Sequence, residues 1–124
     1  MLQLTTILFL ISLSVLAVLH VISLQLFLYW HFPWLDIPMH ALGGITVAFG
    51  LFTLYDFKVI PRRLLYFIPV WLLSLVAIFG WEVFKLYAGK EIDDEFVIDT
   101  VTDVVIGSAG SIVGFYIARS LRSL

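Results

Sequence analysis

Five ionisable residues sit where an apolar chain carries them at a cost. In WLDIPMHALGG, residues 34–44, Asp36 and His40 stand four apart at the mouth of an apolar run. Glu82 lies in FGWEVFK, and Asp99 and Asp103 lie in FVIDTVTDVVIG, each at the edge of a further apolar run. A charged side chain at the centre of a membrane helix costs ~2.5–3.5 kcal/mol on the insertion scale. Four carboxylates and one imidazole supply two kinds of chemistry. They can exchange protons with a substrate as general acids and bases. They can also form an oxygen-rich ligand set with one nitrogen, suited to Mg²⁺, Mn²⁺ or Zn²⁺. The positive partners at hand are His40 and Lys85, so like carboxylates in a low-dielectric site need protons or a bound divalent cation to coexist. We therefore take Asp36, His40, Glu82, Asp99 and Asp103 as candidate metal ligands. His40, Asp103 and Glu82 are the candidate catalytic groups.

The elements that must position these residues follow from composition and patterning. The chain has 124 residues, 62% of them hydrophobic and only 13% charged, with a mean hydropathy of +1.10. A soluble domain carries roughly a quarter charged residues, so there is too little polar surface here to cover a globule. The class is an integral membrane protein, with the lipid bilayer as its first partner. A net charge of −2 gives no reason to expect nucleic acid, and the absence of cysteine excludes disulfides, thiolate metal sites and thiol catalysis. The N-terminal run has no Lys or Arg before it and no convincing cleavage site after it, so it reads as a retained helix.

Four apolar segments predict an all-α four-helix transmembrane bundle, a single domain over 1–124, with helices near 4–28, 39–55, 64–87 and 96–118. The second is close to the minimum of ~17 residues that spans the hydrocarbon. An aromatic group, Tyr29, Trp30, Phe32 and Trp34, follows the first helix and marks an interface. Pro38 and Pro61 precede the second and third helices, where a missing N–H costs nothing. Pro69 falls inside the third and is a candidate kink. Five of the seven Lys and Arg residues (Lys58, Arg62, Arg63, Arg119 and Arg122) lie in the loop after the second helix or in the C-terminal tail. The positive-inside rule then places both termini in the cytoplasm and the other two loops outside.

That topology brings the ionisable residues to one depth, within roughly two helical turns along the membrane normal at about 1.5 Å per residue. It also gives them one face. Asp99, Asp103, Gly107, Gly110 and Gly114 form a helical stripe, and GSIVG at 110–114 is a GxxxG motif of the kind that packs helices closely. His40, Gly44 and Ala48 form the matching stripe on the second helix. Each residue has a plainer reading when taken alone. Asp36 suits an N-cap or loop, His40 an interhelical hydrogen bond, Glu82 a local pair with Lys85, and Asp99 the dipole at a helix start. The acids of KEIDDEF suit a solvated loop. His20 falls about two turns deeper than the cluster at about 1.5 Å per residue. His31 is interfacial, and the GSAGS run at 107–111 suits packing more than nucleophilic chemistry. The collective arrangement at one depth and on shared faces favours one polar pocket.

Asp36-x₃-His40 followed by Gly43 and Gly44, then Trp81-Glu82, then Asp99-Thr-x₂-Asp103 with a glycine-rich continuation, resembles the VanZ-like and YjdF-type bacterial membrane families. The resemblance covers 36–114. VanZ-like proteins typically carry Asn where this chain has Asp103, and a Gln after the glutamate that is missing here. The YjdF-type pattern matches the Asp-Thr-x₂-Asp form, but often has a second acid where this chain has Lys85. The resemblance implies a bacterial or archaeal cell membrane and a role in the envelope. It brings no established reaction.

Three functions are compatible with these residues. One is a metal-assisted hydrolase or transferase on a lipid-linked envelope substrate, with a carboxylate as base. The second is a component of ion- or proton-coupled transport, since intramembrane Asp, Glu and His serve as relays; with four helices it would act as a homo-oligomer. The third is a non-catalytic envelope protein in which the cluster is a buried polar staple. All four arginines lie away from the cluster, so phosphate charge at the site would have to be met by a cation.

Overall fold

The computed structural model describes residues 3–87 and 94–121. It is all-helical among them, and four of its helices are long and apolar enough to cross a membrane. These are α1 (Leu4–Gln25), α3 (Asp36–Asp56), α4 (Phe67–Tyr87) and α5 (Asp94–Ser120). A short α2 (Leu28–His31) and a 3-10 turn, Pro33–Leu35, join α1 to α3. A second 3-10 turn, Arg62–Leu65, precedes α4.

The helix boundaries depart from the sequence pattern for local reasons. The first helix stops at Gln25, not near 28. Phe27 takes a left-handed conformation (φ 55°), which an L-residue adopts at a cost and which breaks the helical run. The second helix starts three residues early, at Asp36, so Pro38 falls inside its first turn, where no N–H is required. Pro61 leads into the 3-10 turn and α4 begins only at Phe67. Pro69 is then also a first-turn proline, and Val70 makes the first backbone bond of that helix, to Tyr66 O. It has no helical bond to remove and no kink to cause. Asp94 and Glu95 open α5 instead of lying in a loop, and the charge of Glu95 suits the start of the helix dipole. Lys90, Glu91 and Asp93 of KEIDDEF, like Arg122, lie outside the described residues. After α3 the chain turns through Lys58 (φ 61°). The Lys58 N–H donates to Tyr55 O and the Val59 N–H to Leu54 O, a Schellman closure with lysine where glycine is usual.

The central contact is α3 against α5, with α1 packed on α3 and α4 on α5. Missing side chains make that seam. A methyl group on Gly44 would strike the Gly107 carbonyl oxygen and lie 2.8 Å from Ser111 N. One on Gly110 would strike the Ala41 carbonyl oxygen, and one on Gly114 would lie 2.9 Å from both Ala48 Cβ and Ile45 Cα. The expected meeting of the two glycine–alanine stripes is thus observed, with one difference. The side-chain position of Gly107 faces Ile78 of α4, and it is the Gly107 backbone that Gly44 approaches.

An apolar core lies toward one end of this pair. Ala48, Phe49, Phe52, Leu65, Val70, Phe115 and Ala118 are all buried there. The Phe115 ring meets Phe52 and Phe67 edge-on, with centroids 6.1 and 5.6 Å away. The outer surface has the opposite character from that of a soluble protein. The buried residues of α1 are Thr5, Thr6, Ser12 and Ser23, while Leu10, Ile11, Val18, Val21 and Leu24 are exposed. Hydroxyls inside and a continuous apolar exterior are what a bilayer solvent selects.

Candidate functional site

The opposite end of the bundle holds the ionisable residues. Asp36 is the first residue of α3. Its carboxylate does not cap the helix. It turns instead to His40 one turn on, with Asp36 Oδ1 lying 3.2 Å from His40 Nε2. The same nitrogen lies 3.1 Å from Oδ1 of Asp103, which α5 presents across the seam. The close approach of α3 and α5 at Ala41, Gly44, Gly107 and Gly110 is what brings these side chains within reach.

The second oxygen of Asp103 faces α4. Lys85 Nζ donates to Asp103 Oδ2 at 2.8 Å and sits 2.9 Å from Glu82 Oε2. The Thr100 hydroxyl donates to the same Glu82 oxygen at 3.3 Å. A continuous chain of charged groups therefore runs Asp36–His40–Asp103–Lys85–Glu82 and ties three helices together. Asp103 and Glu82 are buried, at 2% and 4% exposure, while Asp36 and His40 are partly open. Glu82 Oε1 is buried without a hydrogen-bond partner. A carboxylate oxygen left unsatisfied in a low-dielectric interior costs about 1–3 kcal/mol or more, so it marks a position where a ligand, water or proton would be held.

The two short contacts to His40 Nε2 have a chemical meaning. One N–H cannot point straight at two carboxylates, and a lone pair would repel both. Either one proton is shared between them, or the three atoms surround a cation. Ligand atoms about 2.1 Å from one ion lie about 3.0–3.4 Å apart along the edges of an octahedron or tetrahedron. The observed 3.1 and 3.2 Å separations are those of hydrogen bonds and also fall within that range. The ligand atoms of Asp36, His40 and Asp103 all lie within 4.8 Å of one another. Lys85 would orient Asp103 from behind, as outer partners of metal ligands do.

Of the sequence candidates, Asp36, His40 and Asp103 converge directly, and Glu82 is one link away through Lys85. Asp99 is half-buried, one turn before Asp103 on α5, and is not among the three residues of that convergence. Lys85, expected as a positive partner of the cluster and a local pair for Glu82, is a central member of the network and bridges Glu82 to Asp103. Its signal was present: a lysine three residues after a glutamate inside an apolar helix shares its face, and the next helix offers a carboxylate. His20 is not two turns deeper than the cluster. Its ring lies 5.9 Å from that of Trp81, the residue before Glu82.

Between α4 and α5 an open groove of about 480 Å³ faces outward. Trp71, Leu75 and Phe79 line one wall and Val104, Val105 and Ile112 the other. The Trp71 indole N–H donates to Ser108 Oγ at 2.6 Å in its floor. The groove's end at Phe79 and Val104 is about one turn from Glu82 and adjacent to Asp103 in sequence. Compared with known protein families, curated proteins and solved structures, the chain matches none.

Proposed function

We propose that this is a multi-pass protein of the cell inner (plasma) membrane, with both termini cytoplasmic. In this reading the ionic network lies near the outer surface and serves a metal-assisted hydrolase or transferase acting on a lipid-linked envelope substrate. The four long apolar helices and the apolar exterior support membrane residence. The Lys/Arg asymmetry supports the orientation. The motif resemblance to the VanZ-like and YjdF-type families supports an envelope role. Alkaline phosphatase fused after Lys90 should be active and fused after Lys58 inactive; the reverse pattern would put the network at the cytoplasmic face.

The observation that carries the chemistry is the meeting of Asp36 Oδ1 and Asp103 Oδ1 at one imidazole nitrogen. A divalent cation held there would polarise an ester or phosphoryl oxygen and activate water. Asp36, His40 and Asp103 hold it. Lys85 fixes the second oxygen of Asp103 and meets negative charge that develops on the substrate. Glu82, with one oxygen committed to Lys85 and Thr100 and the other free, accepts the proton of the attacking water or alcohol. The groove between α4 and α5 gives an acyl or isoprenoid chain a path along the bilayer to this end.

Metal analysis of the detergent-purified protein tests the proposal. Stoichiometric divalent metal in the wild type, lost in Asp103→Ala and in His40→Ala, is expected. A second reading, in which the network is an ion-pair staple without a bound ion, is favoured by the double pairing of Lys85. Absence of metal from a folded wild type after incubation with Mg²⁺, Mn²⁺ and Zn²⁺ would establish that reading and remove the first.

A further inference from the structure

At the opposite end of the bundle, two arginines from different elements meet without an acid between them. Arg62 belongs to the 3-10 turn before α4, and Arg119 to the last turn of α5. With Leu65 and Tyr66 they line a small cavity of about 40 Å³. That is more than the ~10–15 Å³ that a cavity needs to hold one water-sized group. Arg119 is held in place: its guanidinium carbon lies 5.8 Å from the Tyr66 ring centroid and 5.9 Å from that of Phe115. Leu65 and Phe115, at 1% and 4% exposure, put an apolar core directly behind the cavity. Among the described residues, the salt bridges of the His40–Lys85 network do not involve Arg62 or Arg119. Two guanidinium groups that converge on one polar cavity over an apolar floor repel each other until an anion joins them.

We infer that this cavity is a phosphate-binding site, with Arg62 and Arg119 donating to the oxygens of one phosphate group. Guanidinium forks match phosphate oxygens bidentately, which a point charge such as lysine cannot do. A phosphate reaches the cavity from two sources. One is the headgroup of an anionic lipid, because the cavity lies at the end of two membrane-length helices, at headgroup depth; basic pockets of this kind between helices hold anionic headgroups. The other is phosphate free in solution. The inference uses neither the ionic network nor the orientation of the chain.

Thermal unfolding of the full chain in an uncharged detergent tests it. Mixed micelles would carry phosphatidylglycerol or phosphatidylcholine, and separate samples would carry inorganic phosphate or chloride at matched ionic strength. Phosphatidylglycerol should raise the melting temperature above the phosphatidylcholine control. Arg62→Gln, at an exposed side chain, removes the repulsion between the guanidiniums and should not lower the melting temperature without anion. It should weaken the apparent affinity ~10-fold or more, the worth of one charge-assisted hydrogen bond. Arg119→Lys should weaken it as well, because it keeps the charge and loses the fork. A response to phosphatidylglycerol alone identifies the lipid as the source; a response to inorganic phosphate as well identifies the phosphate group itself as sufficient. Equal stabilisation of wild type and Arg62→Gln, or no stabilisation beyond the chloride and phosphatidylcholine controls, overturns the site.

Discussion

The two ends of the α3–α5 pair are held by different forces. At one end Phe52, Phe115, Leu65 and Val70 pack with almost no exposed surface, and charged residues, Arg62, Arg119 and Asp56 among them, lie around them. At the other, Asp36, His40, Asp103, Lys85 and Glu82 are linked contact to contact. In water the first end would dominate stability, since burial of apolar surface drives folding. In lipid that drive is absent between helices, because acyl chains are as apolar as leucine. The apolar end then keeps only its packing, while the ionic end has no alternative partner in the hydrocarbon. The comparison teaches that the ionic end should be the more costly one to break.

The largest effect is therefore expected from Asp103→Ala. It removes the acceptor of Lys85 and one of the two carboxylates at His40, leaving buried charge without its partner. Breaking such a pair from one side costs about 3–5 kcal/mol. Thermal unfolding in detergent should show a large drop in melting temperature, and Asp103→Asn, which keeps one acceptor oxygen, a smaller one. If both variants melt with the wild type, the ionic end is not what holds α4 to the pair.

How far these ends were legible in the sequence differs for a physical reason. His40 and Asp103 could be read because each repeats at helical spacing with small residues that mark an interior face, and Asp36 because it stands four residues before His40. That expected face is the one observed. Lys85 was hidden by its own neighbour: the i,i+3 pair with Glu82 explains it locally, and only the packing of α4 on α5 reveals that one ammonium serves two carboxylates. Asp99 shows the converse. It shares the stripe of Asp103, but α5 has 27 residues, about 40 Å at 1.5 Å per residue. That exceeds the hydrocarbon thickness of about 30 Å. Stripe membership fixes a direction and not a partner. The helix starts were misplaced where a proline lies in the first turn, since the sequence marks the proline and not the two residues before it. The Arg62–Arg119 cavity joins residues 57 apart in sequence. It was read only as positive charge that orients the chain, because hydropathy carries no information on which basic residues meet.

The seam between the two ends gives the next effect. An alanine methyl at Gly110 would strike the Ala41 carbonyl, which is backbone and cannot step aside without parting the helices. Overpacking of this kind costs about 1–3 kcal/mol. The same substitution at Gly107 meets side chain and no backbone, Ile78 Cδ1 at 2.8 Å and Cγ1 at 3.2 Å, which a shift of that side chain relieves. Gly110→Ala should lower folded yield and melting temperature, and Gly107→Ala should stay within about 0.5 kcal/mol of the wild type, as substitutions away from rigid contacts do. Equal losses at the two glycines would mean that α4 is as rigidly seated on α5 as α3 is, and the distinction between a tight seam and a looser fourth helix would disappear.

The smallest effect belongs to the apolar end. Phe52 is fully buried against Phe115. In a soluble core, truncating such a phenylalanine to alanine costs about 3–5 kcal/mol, part of it transfer from water and part of it the cavity left behind. The transfer part vanishes when the separated helices still reside in lipid or detergent. Phe52→Leu also keeps most of the volume, and near-isosteric swaps cost less than about 1.5 kcal/mol. What remains is the edge-to-face contact with Phe115, worth about 0.5–1.5 kcal/mol. The expected loss is about 1 kcal/mol by these measures, well below that of Asp103→Ala in the same detergent. A Phe52→Leu loss equal to or larger than the Asp103→Ala loss would reverse the ranking of the two ends. The apolar cluster would then be the stronger clamp, and the ionic network would be free of a structural duty, which shifts its carboxylates toward binding or catalysis alone.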